Sequence, residues 1–534
     1  MNETKHQVVI VGAGMAGLAA AAYLSRANYD VLLIEKNKEI GGLVNTIERD
    51  GFYFDTAARS IENSGIIIPF LNDLGINLEI LNSPISVGIE SEVINIHSED
   101  SLTDYKSLLE RLYPEKIEDV HRIISFMKKM MKDMAILYGI DNPLFKDLKK
   151  DRTYLFKELL PYMGKFLLTV RRMNRLDEPV EEFLEKMSSY RPLADIIDQH
   201  FFKNTPTSFA MGYFYVYLDY IYPKGGTGQI PKAIEQKVIE WGGKIQTETE
   251  ISKIIPSMNQ VIDINGNLYP YEYLIWCADL KTLYKRLDTD NLEDKISRKI
   301  ENQKEKFISY RGGDSVFSLF IGVDEPSEKY KSISHGHFFF TPSKKGLGEH
   351  NRSVLKSLIE NFENTPKEEI LRWLDKFCKL NTYEISIPAL RDPSLAPEGK
   401  TGVIISLLFE YDLFRKVQEA SWYEEFKTEV ENGVLDTISN SIYPGIKEKI
   451  LFKFSSTPIS ISRIAGSSEG AITGWSFEKQ VPVVNSLLKI FKSVLTPIPK
   501  VLQAGQWVYS PSGIPIAILT GFLSAKKIMK KIKS

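Results

Sequence analysis

Cysteine is nearly absent from this chain, with Cys277 and Cys378 the only two in 534 residues. Neither has a partner at C-x-x-C spacing, which excludes a zinc ribbon, a dithiol redox motif and a disulfide scaffold. The expectation is two free thiols in a reducing, cytoplasmic setting. An excess of charge of either sign is also missing. A net charge of −2 offers no electrostatic footprint for nucleic acid. Long apolar runs are missing too: none approaches the roughly eighteen residues of a membrane-spanning helix, and no signal peptide precedes the first apolar run. Histidine is scarce. His335 and His337 alternate on a strand-like stretch with His350 beyond, but no carboxylate or cysteine cluster completes a ligand set, so no metal is expected.

What is present begins about ten residues in. Val8-Val9-Ile10-Val11 reads as a buried strand, Gly12-Ala13-Gly14-Met15-Ala16-Gly17 as a tight turn, and Leu18 to Leu24 as an alanine-rich helix. Strand, G-x-G-x-x-G turn and helix in that order build a dinucleotide site, because each glycine removes an obstructing side chain. The first permits the turn, the second lets backbone approach a pyrophosphate, and the third lets helix pack on strand. The helix start adds unpaired N–H groups and a positive dipole end. Val31-Leu32-Leu33-Ile34 then forms a second buried strand ending in Glu35, with Lys36 after it. A carboxylate there accepts hydrogen bonds from ribose hydroxyls and repels a 2′-phosphate, which makes NADP the least expected occupant.

Gly41-Gly42-Leu43 follows, then Val44 to Ile47 and Gly51 to Asp55, a hairpin turned at Arg49-Asp50-Gly51. This order resembles the flavin amine oxidase superfamily, in which the glycine pair lies along the FAD pyrophosphate. Further matches come from Tyr222 to Gly228 with the helix after it, from Gly242-Gly243 and the strand at Ile251, from Leu274 to Ala278, and from Leu502 to Trp507 leading through Pro511-Ser512-Gly513-Ile514-Pro515 into a last helix. Arg391-Asp392-Pro393-Ser394 to Gly399 and Glu469 to Trp475 resemble its phytoene desaturase, carotenoid isomerase and retinol saturase branch more than amine oxidases.

The resemblance implies an α/β architecture: a discontinuous Rossmann-like FAD-binding domain with an α+β substrate domain formed by two insertions. The expected segments are 1–90, 220–290 and 480–534 for the FAD domain, 91–219 for a mainly helical insertion, and 291–479 for an antiparallel sheet with helices. Gly12, Ala13, Gly14, Met15, Ala16, Gly17, Glu35, Lys36, Gly41, Gly42, Leu43, Ile251, Gly505, Gly513 and Ile514 are the implied FAD contacts. The start of the last helix, facing the flavin, would stabilise negative charge on the reduced ring. Many relatives carry arginine where this chain has Leu43. Arg59 is therefore expected either to supply that charge or to capture an acidic substrate group.

The implied reaction is hydride transfer at flavin N5 to or from C–C or C=C bonds of an apolar polyene or isoprenoid lipid. An amine oxidase or protoporphyrinogen oxidase activity is the alternative, and a flavin-free prenyl-lipid carrier of the GDP-dissociation inhibitor type a further one. No catalytic acid or base is assignable by spacing. Met127, Met130, Met131 and Met134 share one helical face, and Phe209, Tyr213, Tyr217 and Tyr220 form an aromatic one. Each face suits a core or a greasy ligand wall. Leu487, Leu488, Phe491, Val494 and Leu495 fall opposite Asn485, Lys489 and Lys492 if 485–495 is α-helical, and five lysines lie between Lys526 and Lys533. That pattern fits either a membrane-surface helix with a basic tail or a packed helix with a solvated end.

Overall fold

The computed structural model of the protein describes residues 5–478 and 480–533. Its first sheet is a parallel core in which β1 (His6–Val11) lies between β2 (Val31–Ile34) and Leu268–Trp276. Lys244–Gln246 extends it beyond β2, and Val501–Gln503 lies beside Leu268–Trp276. Parallel strands covered on both faces read as unbroken apolar runs. Val8, Val9, Ile10, Leu33 and Ile34 are accordingly inaccessible to solvent. Helix α1 (Met15–Arg26) packs on this sheet, with the C-terminal helix Ile514–Lys533 against it. Both contacts are made by backbone. A Cβ on Gly17 would stand 1.9 Å from the carbonyl oxygen of Gly12, and one on Gly521 would stand 2.2 Å from that of Ala16.

The second sheet has seven strands in the order Ile450–Ser456, Ser315–Val323, Thr401–Phe409, Tyr383–Ser386, His337–Thr341, Ile85–Ile89 and Glu92–Ile96. Only the join between His337–Thr341 and Ile85–Ile89 is parallel. One face carries Phe317, Phe338, Ile385 and Ile405 into a core shared with helices Lys367–Leu380 and Tyr423–Ser439. The opposite face meets the hairpin Thr46–Arg49 and Phe52–Asp55 through Phe52, Phe54, Phe320 and Ile404.

Two expected boundaries move. Residues 85–90 belong to the second sheet, because Ile85–Ile89 pairs with a strand some 250 residues later. Its short apolar run holds no local sign of that partner. At the other end, helix Asp294–Ile308 stays with the first core: Ile300 and Phe307 pack there with Ala471 and Trp475, the Phe307 and Trp475 rings 5.2 Å apart. The sheet-bearing insertion thus lies inside 291–479 and does not fill it. Beyond strand Glu92–Ile96 the first insertion is mainly helical, and Met127, Met130, Met131 and Met134 are all buried in its core.

The close approach of helix to helix at Gly521 gives a direct test. Gly521→Ala inserts a methyl group against a backbone oxygen that cannot swing away. It is expected to cost about 1–3 kcal/mol, read as a lowered Tm in thermal unfolding. Gly164→Ala, in helix Leu160–Met173 and with nothing within 4 Å of the added carbon, serves as the comparison for simple glycine loss.

Candidate functional site

A cavity of about 470 Å³ lies along the first domain, with Phe202, Phe209 and Tyr213 of the helical insertion also lining it. At its centre is the turn between β1 and α1. Gly12 has φ of +100°, a backbone conformation that favours glycine. Gly14 caps α1 with no side-chain hydrogen bond, and a Cβ there would meet nothing within 4 Å. The first N–H groups of α1 therefore face open space, which is the arrangement that receives a phosphate. Gly41 and Gly42 close the opposite side. The Gly41 amide donates to the Ala13 carbonyl at 2.8 Å, and a Cβ on Gly42 would be 3.4 Å from the Gly14 Cα.

One end of the cavity is lined by Glu35, Lys36, Ile251 and Arg286. Glu35 is 7% exposed. Its Oε2 accepts from the Ala13 amide at 2.8 Å and its Oε1 from the Asn37 amide at 2.9 Å. The carboxylate is thus held at the strand end with lone pairs left for a ribose hydroxyl. Lys36 donates from Nζ to the Arg463 carbonyl at 2.9 Å, and burial lowers its pKa. Arg286 pairs with Glu250 and donates to the Ile251 carbonyl. No local motif marks Arg286, because it reaches the cavity from the end of a short helix, Leu280–Lys285.

The other end is built from Ala57, Ala58, Ser60, Glu62, Gly505, Gly513 and Ile514, with Phe209, Tyr213 and Tyr220 as an aromatic wall. Gly505 turns at φ +106°, and its amide donates to Thr520 Oγ1 at 3.0 Å. That bond ties strand Val501–Gln503 to the C-terminal helix, whose first turn faces the cavity. A second cavity of about 850 Å³ shares Glu62, Phe209, Phe477, Pro511, Ser512 and Gly513 with the first. Tyr217, the remaining member of the expected aromatic face, packs on Phe339 with ring centroids 5.4 Å apart. The stripe therefore forms cavity wall and core together.

Glu62 is a residue that sequence reading missed. Burial, with the charge of Asp219 added, raises its carboxyl from 4.5 to about 7. Its place in a two-residue strand, Ile61–Glu62, carries no motif.

Arg59 departs from expectation. It is 2% exposed and turned into the second sheet, where it donates to Ser318 Oγ at 3.1 Å, to Ser406 Oγ at 2.8 Å and to the Asp55 carbonyl. Ala57, Ala58 and Ser60 line the cavity while Arg59 does not. It supplies no charge in place of Leu43, which does line the cavity.

The segment 485–495 also differs. Its regular part is a 3-10 turn, Leu487–Lys492, and the 3.6-residue periodicity does not apply. Ile490 and Val494 are buried, whereas Leu488, Phe491 and Leu495 are exposed. Among the described residues no group of three or more His, Cys, Asp and Glu is placed to hold a metal, and no helix is long and apolar enough to cross a membrane.

The donor set fits FAD. An uncapped helix start with a glycine pair suits a pyrophosphate, a fixed carboxylate suits a ribose, and a second helix start about 500 residues later lines the far end of the same cavity. Comparison with known proteins agrees. Residues 15–529 match the family described as flavin containing amine oxidoreductase. The chain is 23% identical to a 4,4'-diaponeurosporene oxygenase of Staphylococcus haemolyticus, covering 98% of this chain and 97% of that one. It is 22% identical to a 4,4'-diapophytoene desaturase of Staphylococcus aureus, covering 99% of each. Among solved structures, an oxidoreductase from Methanosarcina mazei superposes with a TM-score of 0.59 at 15% identity, covering 99% of this chain and 100% of that one.

The raised carboxyl of Glu62 has a stability consequence. Between pH 4.5 and about 7 the folded chain holds a proton that the unfolded chain has released. Stability from this group is full below pH 4.5 and is lost as pH rises through 7. Glu62→Gln is expected to match the wild type near pH 4.5 and to be the more stable above pH 7. The gain reaches about 3 kcal/mol, since each pH unit between the two values is worth roughly 1.4 kcal/mol. Thermal unfolding across pH 4.5 to 8.5 checks it; a gap that closes with rising pH would contradict the assignment.

Proposed function

We propose that this chain, which belongs to the flavin containing amine oxidoreductase family, oxidises C–H bonds of an apolar polyene with FAD as its resident cofactor. The observation that carries the reading is a second cavity that shares Glu62, Phe209 and Gly513 with the flavin end of the first. The relatives named above are a diapophytoene desaturase and a diaponeurosporene oxygenase, and the second cavity, of about 850 Å³ and adjoining the flavin end of the first, suits a long apolar molecule of that type.

Bound FAD supplies hydride transfer at its isoalloxazine ring. Every other part of the task falls to the chain. Gly14, Met15, Gly41 and Gly42 would hold the pyrophosphate, and Glu35 the ribose. Leu43, Ile251, Gly505 and Ile514 complete the FAD walls, and Lys36 closes the adenosine end beside Glu35. The start of the C-terminal helix at Gly513 and Ile514 presents N–H groups to the ring edge where negative charge gathers. Phe209, Tyr213 and Tyr220 orient an apolar substrate against that edge and exclude water from it.

The substrate reaches the second cavity from a lipid surface. That cavity is flanked by Asn485, Leu487 and Lys489 on one side and by Val170 and Met173 of helix Leu160–Met173 on the other. Leu488, Phe491 and Leu495 are exposed beside the first flank. Phe156, Leu160, Met163 and Leu167, spaced by four, three and four, are exposed along the second. Such an apolar patch, with Lys157, Lys165, Lys489 and Lys492 around it, suits the interface of an anionic bilayer.

Two measurements test these readings. Anaerobic mixing with 4,4'-diapophytoene is expected to bleach the flavin absorbance, while benzylamine and putrescine leave it unchanged; bleaching by an amine alone reverses the choice. Co-sedimentation with anionic liposomes is expected to fall about tenfold or more in Leu488→Glu/Phe491→Glu, since burying two such side chains is worth about 3 kcal/mol or more. Equal sedimentation of variant and wild type removes the membrane step.

A further inference from the structure

The wall between the two cavities carries one carboxyl that the reading above leaves idle. Glu62 pairs with Tyr220 at the end of its short strand and lines both cavities. It stands directly against the start of the C-terminal helix: a Cβ at Gly513 would lie 2.5 Å from its Oε1. Glycine at that helix start is what leaves the carboxyl its place. The groups that face it are Asp219 from the segment before Tyr220, Tyr138 from helix Ile117–Tyr138, and Tyr213 and Tyr220 from the aromatic wall. Neither a cation nor a hydrogen-bond donor contributes to its electrostatics among the described residues. At the same junction the Ser512 hydroxyl is buried without a hydrogen-bond partner. A carboxyl desolvated without a counter-charge, turned to a cavity at the flavin end, is costly to the fold and is the arrangement a proton acceptor requires.

Resting on the reading of the chain as a polyene oxidase, we propose that Glu62 is the catalytic base, taking the proton from the carbon next to the one that gives hydride to oxidised flavin. Two C–H bonds break and one C=C π bond forms. Both electrons of the first C–H bond leave with the hydride and reduce the flavin. The electron pair of the second becomes the π bond, while its proton becomes the O–H of Glu62. The acid then returns that proton to water through the second cavity. Its elevated affinity for a proton, near neutrality, makes the ionised form a better base than an ordinary carboxylate while leaving about half of it ionised at pH 7. Asp219, itself raised to about 6 by burial, adds to that affinity through its charge.

The test uses FAD-loaded wild type, Glu62→Gln and Glu62→Asp. With 4,4'-diapophytoene under anaerobic conditions, Glu62→Gln is expected to keep its flavin spectrum and polyene affinity while flavin reduction slows by about 10²–10⁴-fold. The rise of the wild-type rate through about pH 7 disappears in Glu62→Gln and returns, at lower rate, in Glu62→Asp. A readout without turnover is the infrared band of a protonated carboxyl in the substrate-free holoenzyme, expected to fade as pH rises through about 7 and to be absent from Glu62→Gln. A wild type bleached by the polyene with Glu62→Gln equally fast and the pH limb intact overturns this role alone. A wild type bleached by no polyene overturns the oxidase reading and this role with it. Absence of the infrared band from the wild type also overturns it.

Discussion

The fold depends on two places where backbone touches backbone. Gly17 lets α1 settle on the turn that follows β1, and Gly521 lets the C-terminal helix settle on α1. A methyl group at either would separate elements that the cavity needs side by side. Because the second contact joins residue 16 to residue 521, it brings two helix starts from opposite ends of the chain to one cleft. Both starts line the same cavity. The cofactor site is therefore a consequence of helix packing at distances only glycine allows.

Between these two ends the long insertions must be fastened without closing the cleft, and Asp55 does much of that. It is wholly buried at the end of the hairpin. Its Oδ1 accepts from Thr46 Oγ1 at 2.8 Å, from the Thr227 amide at 2.8 Å and from Thr227 Oγ1 at 3.0 Å, and its Oδ2 accepts from the Tyr222 hydroxyl at 2.7 Å. A buried carboxylate is tolerated only with its lone pairs met. Here meeting them clips the chain's return from the helical insertion onto its first segment. Gly226, at φ +99°, lies so near that a Cβ would come 2.5 Å from Thr46 Oγ1.

Those features divide by range. The glycine turn, Glu35, the glycine pair, the hairpin and the path from Gly505 to Ile514 each follow from neighbours within a few residues, where glycine or an acidic strand end leaves a local mark. The strand Ile85–Ile89 leaves none, because its parallel partner is remote. Arg59 is legible as a cation and not as a direction; whether it faces cleft or sheet depends on Ser318 and Ser406. Glu62 and Arg286 lack motifs and gain their surroundings only in three dimensions. The exposed stripe from Phe156 to Leu167 is hidden in the sequence because its polar neighbours make it resemble any surface helix.

One feature of the second sheet looks contrary to an apolar substrate: its face toward the cleft is polar. Ser60 Oγ lies 2.9 Å from His337 Nδ1, and His337 Nε2 lies 2.9 Å from Glu384 Oε1, an order of groups found in hydrolases. The surroundings argue against that chemistry. Ser60 Oγ is also 2.7 Å from Ser83 Oγ and accepts from Arg391 at 3.2 Å, so its lone pairs are drawn to other partners. Burial pulls the pKa of His337 down, and Tyr220 covers the imidazole with its ring 5.4 Å away and nearly parallel. Burial alone would raise the Glu384 carboxyl, but the hydrogen bond to His337 and the charges of Arg59 and Arg391 hold it below the usual range. Ser60, His337 and Glu384 pair with one another beneath an aromatic lid, and Ser60 lines the cavity while His337, Glu384 and Arg391 do not. Polar layer and apolar wall are thus compatible: the first positions Tyr220 from behind, and the second lines the cavity.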